Sequence, residues 1–120
     1  MLTADIPDNE KERLRVLKDY NILDSFPEED YDAITKIASG ICDSPIALVS
    51  LIDKDRQWFK SNHGLDIRET SRDLAFCSHS ILKPDDLFII NDARKDDRFT
   101  DNPLITGSPN MVFYAGAPLN

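Results

Sequence analysis

The apolar positions change their spacing several times along the chain, and each change marks an element. Leu14, Leu17 and Tyr20 repeat at helical spacing behind a capping-box pair, Asn9 and Glu12, which predicts a helix over 9–20. The stretch "ILDSFPEED" interrupts it. Ser25 and Glu28 form a second capping-box pair with Pro27 in the first turn. Tyr31, Ile34, Ala38 and Ile41 then make one apolar stripe, predicting a second helix that ends near Ile41. "PIALVSLID" is almost continuously apolar and predicts a strand over 46–53 buried on both faces. After the turn "DKDR", "QWFKS" predicts a return strand over 57–62. Trp58 and Lys60 fall on one of its faces and Phe59 on the other, and His63-Gly64 closes the hairpin.

The second half is less regular. "LDIRETSRD" reads as a polar connection and "LAFCSHSIL" as a short helix capped by Ser71 or Asp73. "DLFIIND" predicts a strand over 87–91. "ARKDDRFTDNPLITGSPN" reads as a long polar segment with one helical turn near 92–98, and "MVFYAGAPL" as a last strand over 112–119. Residues 1–7 read as a leader and 8–120 as one domain. Tight hairpins and segregated helices predict an α+β fold. The expected architecture is one antiparallel sheet of 46–53, 57–62, 87–91 and 112–119, with helices on one face and a small-ligand pocket on the other.

Composition narrows the function classes. The 22 acidic residues outnumber the 14 basic ones, for a formal net charge of -8, which disfavours phosphate backbones and anionic membranes as partners. The first fifteen residues lack the basic-then-apolar pattern of a signal peptide. The longest apolar run, Met111 to Ala115, is far too short to span a bilayer. Two cysteines, Cys42 and Cys77, make no disulfide framework, so a cytoplasmic setting with reduced thiols is expected.

The chemistry-bearing candidates cluster in three places. In "RDLAFCSHSI", Cys77 and His79 stand two apart. In a helix they face about 200° apart, and in a strand they lie roughly 6.6 Å apart along the chain. Neither geometry gives the contact of about 3 Å that proton transfer needs, so a catalytic pair is not expected. Two cysteines and two histidines scattered along the chain do not suggest a zinc site either. Phe76, Cys77 and Ile81 pack toward the sheet, or Phe76, Cys77 and His79 form a pocket wall. In "NDARKDDRF", either Arg94 or Arg98 clamps an anionic ligand while Asp92 caps the turn, or Asp92 and Arg98 pair with each other to organise the loop. Among the strand aromatics, Phe59 and either Phe113 or Tyr114 line a pocket floor or fill the core.

Three blocks, "NEKERLRVLKDYNILDSFPEEDYDAITKIAS", "PIALVSLIDKDRQWFKSNHGLDIRETSRDLAFCSHSIL" and "NDARKDDRFTDNPLITGSPNMVFYAGAPL", follow one another in the order and spacing of a GAF domain. The chain resembles the branch found near the N-termini of bacterial sensor histidine kinases and diguanylate cyclases. That resemblance implies a regulatory, non-catalytic module that binds a small molecule or mediates dimerisation, with a kinase or cyclase domain C-terminal to it. It implies no cofactor beyond an unidentified small ligand. Phe59, Phe76, Cys77, His79, Asp92, Arg98 and Tyr114 are the positions expected to meet that ligand. The family continues past "FYAGAPL" with two strands and a helix, so the chain resembles a domain cut short. The chain is then expected to self-associate, either by edge pairing of 112–117 between two copies or by exchange of the helix 9–20. Relatives that attach a bilin have histidine directly after the attaching cysteine, and here Ser78 intervenes. Some stand-alone GAF proteins reduce methionine sulfoxide, which makes a thiol redox enzyme using Cys77 the alternative reading.

Overall fold

A computed structural model describes residues 3–107 and 111–119. The architecture is α+β, and among the described residues it divides into two compact units, 9–72, and 73–119 together with 3–8.

In the 9–72 unit, α1 (Glu10–Asp19) and α2 (Glu29–Cys42) precede β1 (Ala47–Ile52), β2 (Arg56–His63) and β3 (Glu69–Ser71). The strands form an antiparallel sheet in the order β1-β2-β3, and α2 packs on β1 and β2. Neither expected capping box forms. Asn9 and Glu28 are the N-cap residues, and neither side chain caps its helix. The acidic first turn of α2, Glu29, Asp30 and Asp32, complements the helix dipole instead. Asp43, at φ 50°, ends α2 in the left-handed region that aspartate tolerates. Gly64, at φ 80°, ends the hairpin; a Cβ there would lie 1.8 Å from the Pro45 carbonyl oxygen, so only glycine fits.

β2 is the centre of this unit. Gln57, Trp58, Phe59, Lys60 and Ser61 are all buried, so both faces of the strand expected to be amphipathic are covered; β1 and β3 flank its edges and α2 packs on it. Lys60, 1% exposed, is neutralised there. Its ammonium donates to Ser25 Oγ at 2.8 Å and the Phe26 carbonyl at 2.7 Å, and pairs with Glu28 at 2.5 Å. These partners match its three N–H donors.

The face of α2 that meets the sheet differs from the expected stripe. Tyr31 and Ala38 are half-buried as expected and Thr35 is buried, but Ile34, Ile37 and Ile41 are 55%, 59% and 80% exposed. Polar anchoring sets the helix rotation. Ser61 Oγ donates to Asp32 Oδ1 at 2.7 Å and lies 2.9 Å from Thr35 Oγ1. A satisfied buried hydroxyl pair outweighs the burial of one more aliphatic face here, because a buried hydroxyl without a partner is costly.

In the 73–119 unit, α3 (Cys77–Ser80), β4 (Phe88–Ile90), α4 (Pro103–Thr106) and β5 (Tyr114–Gly116) follow in order. β4 and β5 pair antiparallel, with Phe88 opposite Gly116 and Ile90 opposite Tyr114. The expectation of one four-stranded sheet is therefore corrected: the strands form a three-stranded ladder and a separate two-stranded one. The polar connection supplies β3, which pairs with β2 and takes a place in the first ladder. The strand expected over 112–119 is ordered as β only at 114–116, since Pro118 lacks a ladder donor.

The core of this unit is Phe76, Ile90, Ala93, Phe99 and Ile105, with Phe88, Met111 and Tyr114 packed against it. Two polar devices shape the long segment between β4 and β5. Asp92 caps the turn Ala93–Lys95 by accepting from the Arg94 backbone N–H at 3.0 Å. Asn102, 1% exposed, caps α4 through the Leu104 N–H at 2.9 Å and donates to the Leu74 carbonyl at 3.0 Å. No helix among the described residues is long and apolar enough to cross a membrane.

Candidate functional site

Six of the seven expected site residues, Phe76, Cys77, His79, Asp92, Arg98 and Tyr114, belong to the 73–119 unit, and Phe59 belongs to the other. Phe59 is 1% exposed in the core of its unit.

The local turn Arg72–Leu74 and the short α3 present Phe76, Cys77 and His79 in different directions. Phe76 lies in the core, its ring centroid 4.4 Å from that of Phe99 and 5.2 Å from that of Tyr114. Cys77 Sγ meets the Tyr114 hydroxyl at 2.7 Å. The His79 ring stands edge-on to Phe99 at 4.9 Å and stacks on Phe88 at 6.4 Å. Cys77 and His79 thus serve separate contacts, as opposite helix positions require.

The register of β4 and β5 completes the cluster. Phe88, Ile90, Tyr114 and Gly116 lie on one face of the ladder, and the Phe88 ring lies 5.8 Å from that of Tyr114. The Tyr114 side chain folds back over Gly116, where a Cβ would come within 2.6 Å of the phenol oxygen. Glycine at 116 is what lets the hydroxyl reach the thiol. Burial, and then the adjacent Cys77, push the Tyr114 phenol well above its ordinary value, so it is neutral across the physiological range.

The expected Asp92–Arg98 pair does not form. Asp92 binds Arg94 at 2.8 Å, and Arg98 binds Asp96 at 2.8 Å. Each arginine is two residues from its carboxylate, where it can be held both by the side chain and by its own backbone N–H. The Arg94 guanidinium holds Asp92 down to about 2, and that of Arg98 lowers Asp96. Arg98 also lies over the rings of Phe88 and Phe99, at 5.1 and 5.3 Å. The arrangement is a packed aromatic box of Phe76, His79, Phe88, Phe99 and Tyr114, with the Cys77 thiol against Tyr114 and the Arg98 guanidinium over Phe88 and Phe99. Phe76 and Phe99 are 3% and 1% exposed, so the box is filled by its own rings, and its half-buried edge of Cys77, His79, Phe88, Arg98 and Tyr114 is the part that can meet a small molecule, such as an anion that draws Arg98 from Asp96.

Phe88, Asp96, Phe99 and Gly116 were missed by the sequence reading. The pairing of Arg98 with Asp96 was visible as an Asp-x-Arg spacing, repeated from Asp92-x-Arg94. An open cleft of about 510 Å3 lies in the other unit, lined by Asn62, Gly64, Leu65, Asp66 and Arg68, and none of the expected residues lines it. Among the described residues no group of three or more histidine, cysteine or carboxylate side chains is placed to hold a metal.

No family model matches the chain. Over 119 residues it is 40% identical to a cyclic di-GMP phosphodiesterase of Pseudomonas aeruginosa, a match that takes in 99% of this chain. The chain spans about 20% of the length of that relative.

Proposed function

We propose that the chain is a regulatory segment of a bacterial signalling protein, a GAF-type sensory module that does not itself catalyse a reaction. Its output is the turnover of cyclic di-GMP by another part of the longer protein. A small molecule held at the half-buried edge of the aromatic box, or pairing of two copies, sets that output. The observation that carries this reading is the end-to-end identity of 40% with one fifth of a phosphodiesterase. A likeness confined to so small a share fits an accessory segment. The chemistry of the box supports the same reading. One partner of the Cys77 thiol is a phenol that stays protonated, and a protonated phenol does not act as the base that generates a thiolate.

The test has two arms. The 120-residue chain is incubated with cyclic di-GMP, and no hydrolysis is expected. It is also screened by thermal shift against nucleotides, tetrapyrroles and amino acids. A true ligand at one hundred times its dissociation constant adds about 2.7 kcal/mol of apparent stability, and Arg98→Ala should remove that gain. Hydrolysis by the chain alone, or a thiol-dependent turnover lost in Cys77→Ser, would overturn the proposal.

A further inference from the structure

We propose that α1 is a lever, latched at its N-terminal end by Glu10 and hinged at 21–24, and that its release is the conformational change this segment can make without unfolding. The inference stands independently of any ligand.

Three observations carry it. First, α1 has no fully buried residue; Leu14 and Leu17 are half-buried, and Val16 and Tyr20 are exposed. Apolar burial therefore holds it weakly. Second, within the 9–72 unit its polar attachment is concentrated in its first turn, at Glu10 and Arg13. Glu10 accepts from Arg13 Nε at 3.0 Å and Nη2 at 2.8 Å, and from Arg72 Nη1 at 2.5 Å and Nη2 at 3.3 Å. Two guanidinium forks thus fill the acceptor positions of a single carboxylate. Arg13 Nη1 reaches the Ile52 carbonyl at 2.5 Å, and Arg72 Nη1 lies 3.1 Å from the Asp53 carbonyl and 3.3 Å from that of Lys54. The latch thus fastens the start of α1 to the β1–β2 turn.

Third, the other end of α1 leads into a built hinge. Asn21 and Asp24 have φ of 55° and 60°, a region that asparagine and aspartate enter and leave at low cost. Immediately beyond, the chain is pinned to the sheet. Arg56 grips both Asp24 oxygens at 2.8 Å, and Lys60 binds Ser25 and the Phe26 carbonyl. With 24–26 clamped and Glu10 released, α1 turns about 21–24 while the sheet stays whole. Few-residue hinges of this kind absorb large backbone rotations.

Amide hydrogen exchange on the whole 120-residue chain tests this. The reading is taken as urea rises below the unfolding transition. Protection over 11–19 should be at least about tenfold lower than over 57–62 in β2 and nearly independent of urea, as for a sub-global opening, whereas 57–62 exchanges through global unfolding. Glu10→Gln keeps the shape of the side chain and removes its charge, and should raise exchange over 11–19 by about tenfold or more with the same flat urea dependence. The unaltered chain alone remains decisive if the variant does not fold. Equal protection and equal urea dependence over 11–19 and 57–62, or unchanged exchange over 11–19 in Glu10→Gln, would overturn the proposal.

Discussion

The hydroxyl of Tyr114 and the thiol of Cys77 meet at 2.7 Å across a span of 37 residues, and this contact joins β5 to α3. It depends on Gly116, because the phenol lies where a side chain at 116 would be. Tyr114→Phe keeps the ring contacts with Phe76 and Phe88 and loses the hydrogen bond, an expected cost of about 1 kcal/mol. Gly116→Ala should cost more, since the new methyl displaces the phenol and disturbs the ring packing as well. Urea unfolding of the two variants gives the comparison, and a milder effect for Gly116→Ala would show that Tyr114 is not held in place over Gly116.

Glu10 gives the chain an acid-sensitive component of stability. Partial burial pushes its carboxyl up, but hydrogen bonds from Arg72 and Arg13 outweigh this and hold it at about 2, against an ordinary 4.5. A carboxyl whose folded value is depressed stabilises the native state fully above its unfolded value. That contribution is lost as pH falls from about 4.5 toward 2. Glu10→Gln should therefore be less stable than the parent by about 2 kcal/mol at pH 7, with the gap closing below pH 4. Urea midpoints for both proteins between pH 7 and pH 2.5 measure the gap, and a constant difference would contradict it.

Asn102 satisfies two backbone groups with one buried amide. Asn102→Ala strips the cap from α4 and leaves the Leu74 carbonyl without this donor, for an expected loss of about 2–3 kcal/mol. Asn102→Asp keeps an acceptor for the Leu104 N–H but sets a carboxylate oxygen against the Leu74 carbonyl in a buried site, and should be no more stable than alanine. The order of the three melting temperatures checks the assignment.

The β4–β5 ladder has a second face. It is formed by Ile89, 53% exposed, and Ala115, and the flanking Leu87, Phe113 and Leu119, outside the strands, are 69%, 59% and 84% exposed. With no lysine or arginine between Met111 and Asn120, little discourages pairing of one ribbon with another. The chain is expected to self-associate with rising concentration, and Ile89→Lys should shift it toward monomer. Light scattering across a concentration series decides, and a chain that stays monomeric to high concentration would refute the prediction.

The parts of the fold that were legible in the sequence are those fixed by local pattern. The helix expected at 9–20 is ordered over Glu10–Asp19, and the hairpin expected at 46–53 and 57–62 over Ala47–Ile52 and Arg56–His63. β3 was illegible because Glu69, Thr70 and Ser71 carry no apolar alternation, and their strand geometry comes from β2 alongside. The rotation of α2 was misread for a related reason: apolar count favoured Ile34 and Ile41, while the hydrogen bonds of Thr35 and Asp32 to Ser61 set the angle. In the candidate site, Cys77, His79 and Tyr114 were found as residue types suited to a pocket. Their mutual contacts depend on strand register and on Gly116, which no spacing rule encodes.

Trp58 is the sole tryptophan of the chain, 4% exposed in the 9–72 unit with the Arg68 guanidinium 5.6 Å from its ring. Its emission is therefore a built-in optical probe of that unit alone. Cysteine 77 and the aromatic box lie in a unit that contributes no indole signal. Denaturation followed by tryptophan fluorescence reports when the three-stranded sheet opens, whereas far-ultraviolet dichroism adds the remainder. A displacement between the two curves would reveal that one short chain melts in two steps.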